Sequence, residues 1–367
     1  MKKKIVWVTA NCFIDVDLPI LPLMSEKYEI EWFVIYEKSI KIDYQSIIHD
    51  KIKNSDIKLV TIQLKSRIRN PFLFIEYLFL LSKILKPKPS LFYIDISGMP
   101  YFLPLLKMFV DSKRVVVATH NVSTPKGAAN QNLAKQYMRF TLKVFNNLHV
   151  FSESQKIIIV TKYPKKNILF APLALKDFGK PNTIPDNIIT FLNFGIISEY
   201  KRVDVLIQAA IKAYEKTGKR FIVKIAGACN DWSKYQELIK YPFLFDLRIE
   251  SIPNEDIPNL FASSHYFVLP YQDIAQSGAL TVAFNYNLPV LASNLEGFRE
   301  YINHERTGFL FETASVDALS ELLVHIIKNH NFIYSDLKEN QLKFVQENYV
   351  IETIAKKYSN FFESLLV

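Results

Sequence analysis

LPYQDIAQSGALTVAFNYNLPVLASNLEGF, residues 269–298, holds a complete strand–loop–helix–strand unit. Its first strand ends HYFVLPY (265–271), its second is LPVLAS (288–293), and both are apolar almost throughout. Strands of that kind joined by a helix belong to a parallel sheet covered on both faces. In the loop between them Ser277 is a good N-cap for a helix running to about Tyr286, and Gly278 lets a ligand approach the backbone. The free N–H groups of that first turn, around Ser277, Gly278 and Ala279, favour an anion such as phosphate. The same residues also read as a plain helix start in which Gly278 only relieves crowding.

Outward from this unit the alternation continues in both directions. KIVWVTA (4–10), YEIEWFVIY (28–36), IKLVTI (57–62), LFYIDI (91–96), RVVVATH (114–120), LHVFS (148–152) and NILFA (167–171) read as strands. After PLALKDFGKPNTIPDN (172–187), a linker with three prolines, come IITFLNFG (188–195), RFIVKIAG (220–227) and LRIES (247–251). The last 50 residues look wholly helical, with a break near Asn348. The expected organisation is α/β throughout: a doubly wound domain over 1–175, a second over 186–347, and a closing helix over 348–367.

A chain of 367 residues with 49% apolar and 22% charged residues suits two such domains and excludes disorder. Two distant cysteines, Cys12 and Cys229, argue against a disulfide scaffold or zinc cluster and for a cytoplasmic setting. MKKKIVWVTANCF has only a strand-length apolar run, unlike a signal peptide, and no segment offers an uncharged bilayer-spanning stretch. The net charge of +9 points to anionic small ligands or an anionic membrane surface. Nucleic acid is the weakest partner, since zinc spacings and an RNP-like pattern are missing. KSRIRNPFLFIEYLFLLSKILKPK (65–88) reads either as a helix covering the first sheet or as a membrane-surface helix with basic flanks.

Glycine is scarce, nine in all, so each should sit where geometry demands it. Gly195, Gly227 and Gly278 fall at strand ends or a helix opening, where open α/β sheets bind ligands. Lys201 and Arg202 stand at the start of the next helix, where cations oppose the macrodipole unless an anion compensates them. His120-Asn121 ends a strand, in place to bond a sugar hydroxyl or pass a proton, although a strand-end histidine is also a common structural residue. Asp15 and Asp17 form a D-x-D pair in the loop after the first strand, read as an acidic loop facing the interdomain cleft rather than a metal site.

FGIISEYKRVDVLIQAA (194–210) and LPYQDIAQSGALTVAFNYNLPVLASNLEGFREYINHERTGFLF (269–311) together resemble the family 4 glycosyltransferases of the GT-B fold, and THNV (119–122) is similar to that family's HN-V loop. The resemblance implies two Rossmann-like domains facing across a cleft, an acceptor-side first domain, a donor-binding second domain, and a last helix crossing back to the first. It implies that Lys201 neutralises the donor diphosphate, that Gln276, Ser277, Gly278 and Ala279 cradle it, and that His120 touches the donor sugar. Gly195, Ser198, Gly227, Glu255 and Ile257 complete the expected donor set, the last two near the base; Asp15, Asp17 and Asn121 are the expected acceptor-side residues. Three positions depart from the family pattern: Ile274 and Val282 stand where many members carry a Glu-x7-Glu pair, Ile196 and Ser198 where an arginine is usual, and Arg202 where glycine follows the lysine. The missing acidic pair matches a QSG-type subgroup.

The implied activity is transfer of a sugar from a UDP-, GDP- or dTDP-sugar to a growing cell-surface glycan, with a lipid-linked oligosaccharide as acceptor. No metal or permanently bound cofactor is expected, and the chemistry is retaining. A sugar-nucleotide epimerase and a non-catalytic nucleotide-sugar-binding partner of another transferase are the alternatives; the first would act without acceptor and the second would bind donor without turnover.

Overall fold

The computed structural model describes residues 2–37, 45–66, 70, 72–96, 99–122, 131–274 and 276–366. Seven short apolar runs, β1 (Lys4–Ala10), β2 (Glu29–Tyr36), β3 (Ile57–Gln63), β4 (Leu91–Asp95), β5 (Val115–Thr119), β6 (Asn147–Val150) and β7 (Asn167–Phe170), form one parallel sheet. Its order is β3-β2-β1-β4-β5-β6-β7. A second parallel sheet is built from β8 (Thr190–Phe194), β9 (Ile222–Ala226), β10 (Phe245–Arg248), β11 (Tyr266–Leu269), β12 (Val290–Ser293) and β13 (Gly308–Phe311). Its order is β10-β9-β8-β11-β12-β13. In each sheet the strand order reverses beside the first strand, the topology of a doubly wound Rossmann-like domain. The edge strand β13, GFLF, is absent from the sequence reading.

The helices in chain order are α1 (Ile14–Asp17), α2 (Leu21–Lys27), α3 (Gln45–Ile52), α4 (Leu73–Leu85), α5 (Phe102–Phe109), α6 (Gln131–Val144) and α7 (Glu153–Lys162). They continue with α8 (Val203–Thr217), α9 (Ser233–Gln236), α10 (Ile257–Ala262), α11 (Gly278–Asn285), α12 (Glu296–Arg299), α13 (Val316–Asn348) and α14 (Ile351–Leu365). Leu175–Asn348 is one compact unit; the described residues before it, together with those from Tyr349 onward, make the other.

The continuous apolar strands follow from burial on both faces. On β1, Ile5 and Trp7 enter a core shared with α2, α3 and α14, whereas Val6 and Val8 enter one shared with α4, α5, α6 and α7. α14 belongs to the first of these cores through Ile354, Tyr358 and Phe362, and it packs on α2 and β7. Asn348 ends α13, and Val350, extended at φ −61° and ψ 118°, starts α14. α4 buries Leu73, Tyr77, Leu80, Leu81 and Ile84 against the first sheet, as one of the two readings of residues 65–88 expects, and leaves Phe74, Ile75, Leu78 and Phe79 exposed. Among the described residues no helix is long and apolar enough to cross a membrane.

Two histidines are buried as part of the packing. His149 Nε2 lies 3.1 Å from the Ala171 carbonyl, so that nitrogen carries the proton and Nδ1 accepts from the Tyr93 hydroxyl at 2.6 Å. Burial pushes His149 down to about 3 and His265, in the other sheet, down to about 4. An unfolded histidine takes up its proton near pH 6.5, so between that pH and these values the unfolded chain binds more protons and stability falls as pH falls. Through His265, acidification below pH 6.5 is expected to destabilise the second unit by on the order of 1.4 kcal/mol per pH unit, whereas in the first unit the raised carboxyls of Asp17 and Asp95 oppose His149. Chemical denaturation as a function of pH checks this; a second-unit transition that stays flat between pH 6.5 and 4.5 contradicts it.

Candidate donor site and the acid–histidine cluster

The second sheet reverses between β8 and β11, and the loops leaving the carboxyl ends of those strands meet. After β8, Gly195 turns at φ +109°, Ile197 bridges to Cys229, and a short 3-10 turn over Glu199–Lys201 leads into α8. The Gln272 amide, after β11, donates to the Tyr200 carbonyl at 2.8 Å, and the Tyr200 and Tyr271 rings meet edge to face at 5.7 Å. Tyr271 in turn hydrogen-bonds Ser277, which caps α11 by accepting from the Leu280 amide at 3.3 Å.

Lys201 is drawn into this junction. It is 9% exposed, its ammonium lies 5.6 Å from the Tyr271 ring centre, and no carboxylate pairs with it among the described residues. Burial alone pushes its pKa down to about 8. A buried cation without a carboxylate partner among the described residues is costly unless an anion joins it.

The glycines make this geometry possible. A Cβ on Gly195 would stand 3.1 Å from the Lys201 ammonium, and one on Gly227, where φ is +152°, would stand 2.2 Å from the Gly195 carbonyl oxygen. A Cβ on Gly278 would reach 3.0 Å from the ammonium of Lys176. Lys176 therefore lies beside the N-terminus of α11, a position the sequence reading missed because it falls in the linker, outside any periodic element.

Arg202 is placed differently from its neighbour. It adopts the left-handed conformation (φ 50°, ψ 47°) between the 3-10 turn and α8, and its guanidinium grips Asp204 at 2.8 Å. Its position is where the resembled family has glycine, and the backbone explains why glycine fits there. Arg202→Gly is expected to be about neutral for stability, the relief of left-handed strain offsetting the lost ion pair, whereas Arg202→Ala should be ~1 kcal/mol less stable than Arg202→Gly. Paired urea denaturation of the two variants measures that difference, and equal midpoints would contradict it.

The remaining residues expected on the donor side are more scattered. Gln276 and Ala279 flank Ser277 and Gly278 at the start of α11, while Ser198 precedes the Lys201 turn and hydrogen-bonds Tyr200. Glu255 is exposed on a 3-10 turn after β10, and Ile257 opens α10 with its side chain buried.

In the first unit, His120 follows β5 and is stacked between Phe13 at 3.8 Å and Phe151 at 4.3 Å. Its Nε2 meets Asp95 Oδ1 at 2.8 Å, and its carbonyl accepts from Gln155 at 3.1 Å. Burial, reinforced by nearby Asp15, pushes the Asp95 carboxyl far above the usual range, so the contact is a hydrogen bond to a group that resists ionising. Asp95, Phe13 and Phe151 were not singled out in the sequence; an aspartate inside the apolar strand LFYID was the available signal for the first of them.

The D-x-D pair requires a correction. Asp15 and Asp17 lie in the helical turn α1 rather than an open loop, and Asp17 is wholly buried, 0% exposed. Thr9 donates to its Oδ2 at 2.6 Å and itself accepts from the Trp32 indole at 2.7 Å. Burial and the nearby Asp95 push the Asp17 carboxyl well above its ordinary range. It ties α1 to β1 with its carboxyl turned into the core, whereas Asp15 is half-buried and Asn121 exposed. No group of three or more metal-ligating side chains occurs among the described residues.

Residues 176–344 match the family model described as glycosyl transferases group 1. No curated protein matches the chain in sequence. Solved structures do: a glycosyltransferase of Rickettsia africae superposes with a TM-score of 0.72 at 15% identity, covering 100% of this chain and 99% of its own. HepE of Anabaena, solved with UDP and glucose, gives a TM-score of 0.73 at 13% identity over 99% of this chain and 100% of its own. Sucrose-phosphate synthase of Thermosynechococcus elongatus gives 0.76 at 14% identity, with 99% of each chain covered. Two parallel Rossmann-like sheets and these superpositions give the chain the GT-B fold, and the stretch that matches the family model, residues 176–344, lies within the second unit.

Proposed function

We propose that the protein is a glycosyltransferase that moves a sugar from a nucleoside-diphosphate sugar to a growing glycan carried on a lipid, with retention of configuration. The observation that carries the proposal is buried Lys201, without a carboxylate partner among the described residues, against the ring of Tyr271, which hydrogen-bonds the cap of α11, Ser277. In the reaction the bond from the sugar's anomeric carbon to the diphosphate oxygen breaks, charge accumulates on that diphosphate, and the acceptor hydroxyl supplies the new bond. Lys201 and the free amides at Gly278 and Ala279 stabilise the departing charge where it forms. The acceptor proton passes to the leaving phosphate oxygen on the face it departs from, so no protein nucleophile is assigned. His120, held flat by two aromatic rings and oriented by Asp95, is the candidate contact to the donor sugar.

On this reading the second unit binds donor and the first binds acceptor. UDP is the base to test first, since HepE was solved with it. Calorimetric titration with UDP, GDP, dTDP and CDP, followed by product analysis with and without a lipid-linked oligosaccharide, tests the proposal. Sugar transfer that requires acceptor supports it. Turnover of the donor sugar without acceptor would show an epimerase, and donor binding without turnover a binding partner.

A further inference from the structure

The helices on the two sides of the first sheet differ in kind. Of eighteen large hydrophobic residues exposed among the described residues, twelve lie on α4, α5, α6 and α7 or cap them, and the other six are single residues elsewhere. On the opposite side, among the side chains described, α2, α3 and α14 carry none within their spans, and Val350, which caps α14, is the one exposed there. Charge divides the same way. α4 to α7 hold seven basic residues against two acids, whereas α2, α3 and α14 hold four of each. Both acids on the first side are occupied: Glu76 accepts the Lys65 amide at 2.6 Å, and Glu153 pairs with Lys156 at 2.9 Å. The apolar residues include Phe74, Ile75 and Phe79 on α4 and Met108 and Phe109 on α5, which packs against α4. Lys135, Arg139 and Lys143 recur at four-residue spacing along α6, all exposed. Beside the C-terminal end of α4 a cavity of about 430 Å³ is lined by Phe33, Val60, Lys83, Lys86 and the Lys58–Glu31 ion pair at 3.0 Å.

From this we infer that the α4–α7 side of the first unit docks on an anionic phospholipid bilayer, its aromatic and aliphatic side chains entering the interface and the basic residues facing the headgroups. Scattered exposed apolar residues are ordinary; their confinement to one side, together with acid-poor basic charge, is what lipid recognises. A second copy of the chain is a poorer occupant, because a two-fold interface would set this basic face against itself. The inference does not rest on the glycosyl-transfer reading, since vesicle binding needs no nucleotide.

The test is co-sedimentation of the full chain with phosphatidylcholine vesicles with and without phosphatidylglycerol. Wild type is expected to sediment only with the anionic vesicles, and less as salt rises. A Lys135→Gln/Arg139→Gln/Lys143→Gln variant should lose about a hundredfold in partitioning, from ~1 kcal/mol per basic residue near the surface. An Ile75→Ser/Phe79→Ser variant should lose about tenfold or more. Both alter exposed side chains only, and the two are independent of one another. No partitioning by wild type overturns the inference, as does either variant binding like wild type. A wild-type dimer that Ile75→Ser/Phe79→Ser dissociates, with no vesicle binding, would make this face a contact between copies instead.

Discussion

Lys201→Met is expected to make the unliganded protein more stable and to remove most of its affinity for a nucleoside diphosphate. The two effects have one cause. Burial lowers the lysine from 10.5 to about 8, which means the folded state holds its charge at a cost. An unfolded lysine titrates near 10.4, so between the two values the unfolded chain binds more protons and stability rises with pH. At neutral pH both states are protonated, and the folded one carries a penalty on the order of 3 kcal/mol that methionine removes. A bound diphosphate supplies the missing counter-charge, so losing the ammonium costs about 2–4 kcal/mol of binding, ~30- to 1000-fold. Differential scanning with and without UDP shows both at once: the apo melting point rises and the ligand-induced shift vanishes. Wild-type affinity should also weaken about tenfold per pH unit above pH 8, as the free lysine loses its proton. An apo melting point that falls in Lys201→Met, with UDP binding retained, would remove the lysine from the site.

Gly227→Ala is expected to destabilise the second unit by ~3 kcal/mol or more, or to prevent its folding. A methyl group there meets the Gly195 carbonyl oxygen at 2.2 Å and its carbon at 2.6 Å, both backbone atoms that cannot swing aside. Gly195→Ala is a graded comparison. Its methyl group meets only the end of a flexible side chain, the Lys201 ammonium at 3.1 Å, though at φ +109°. It should fold at a cost of about 1–3 kcal/mol and lose donor affinity by displacing that amine. Gly179, also at positive φ but with nothing within 4 Å of a Cβ, isolates the backbone term alone. Urea denaturation of the three alanine variants should rank them Gly179 mildest and Gly227 worst; a Gly227→Ala midpoint equal to wild type would contradict the close approach of β8 and β9.

The strand pattern was legible because each strand is buried on both faces, as the alternation of Ile5 and Trp7 against Val6 and Val8 shows for β1. β13 escaped although it is no shorter than β12, its neighbour in the sheet, which was read. Lys201 and Arg202 looked alike in sequence, two cations opposing one helix dipole. The fold separates them: one is buried without a carboxylate partner among the described residues, the other is a half-exposed ion pair with Asp204. His120 was visible as a strand end, but its setting was not. Phe13, Asp95 and Phe151 come from three different strand ends, and only the order of strands in the sheet brings them to one ring. Asp17 misled for a related reason, since spacing cannot tell a loop carboxylate from one folded under Thr9.

α14 has a consequence for the chain's assembly. Its Ile354, Tyr358 and Phe362 fill the core beneath β1, yet they lie beyond the whole of the second unit. During synthesis from the N-terminus the first unit is made earliest and completed last, its core open on one side while residues 175–348 are made and can fold as a contiguous piece. The order of birth and the order of closure are therefore reversed, and a nascent chain stalled before Tyr349 would expose Trp7 and Tyr93, the aromatic rings that Tyr358 and Phe362 otherwise cover.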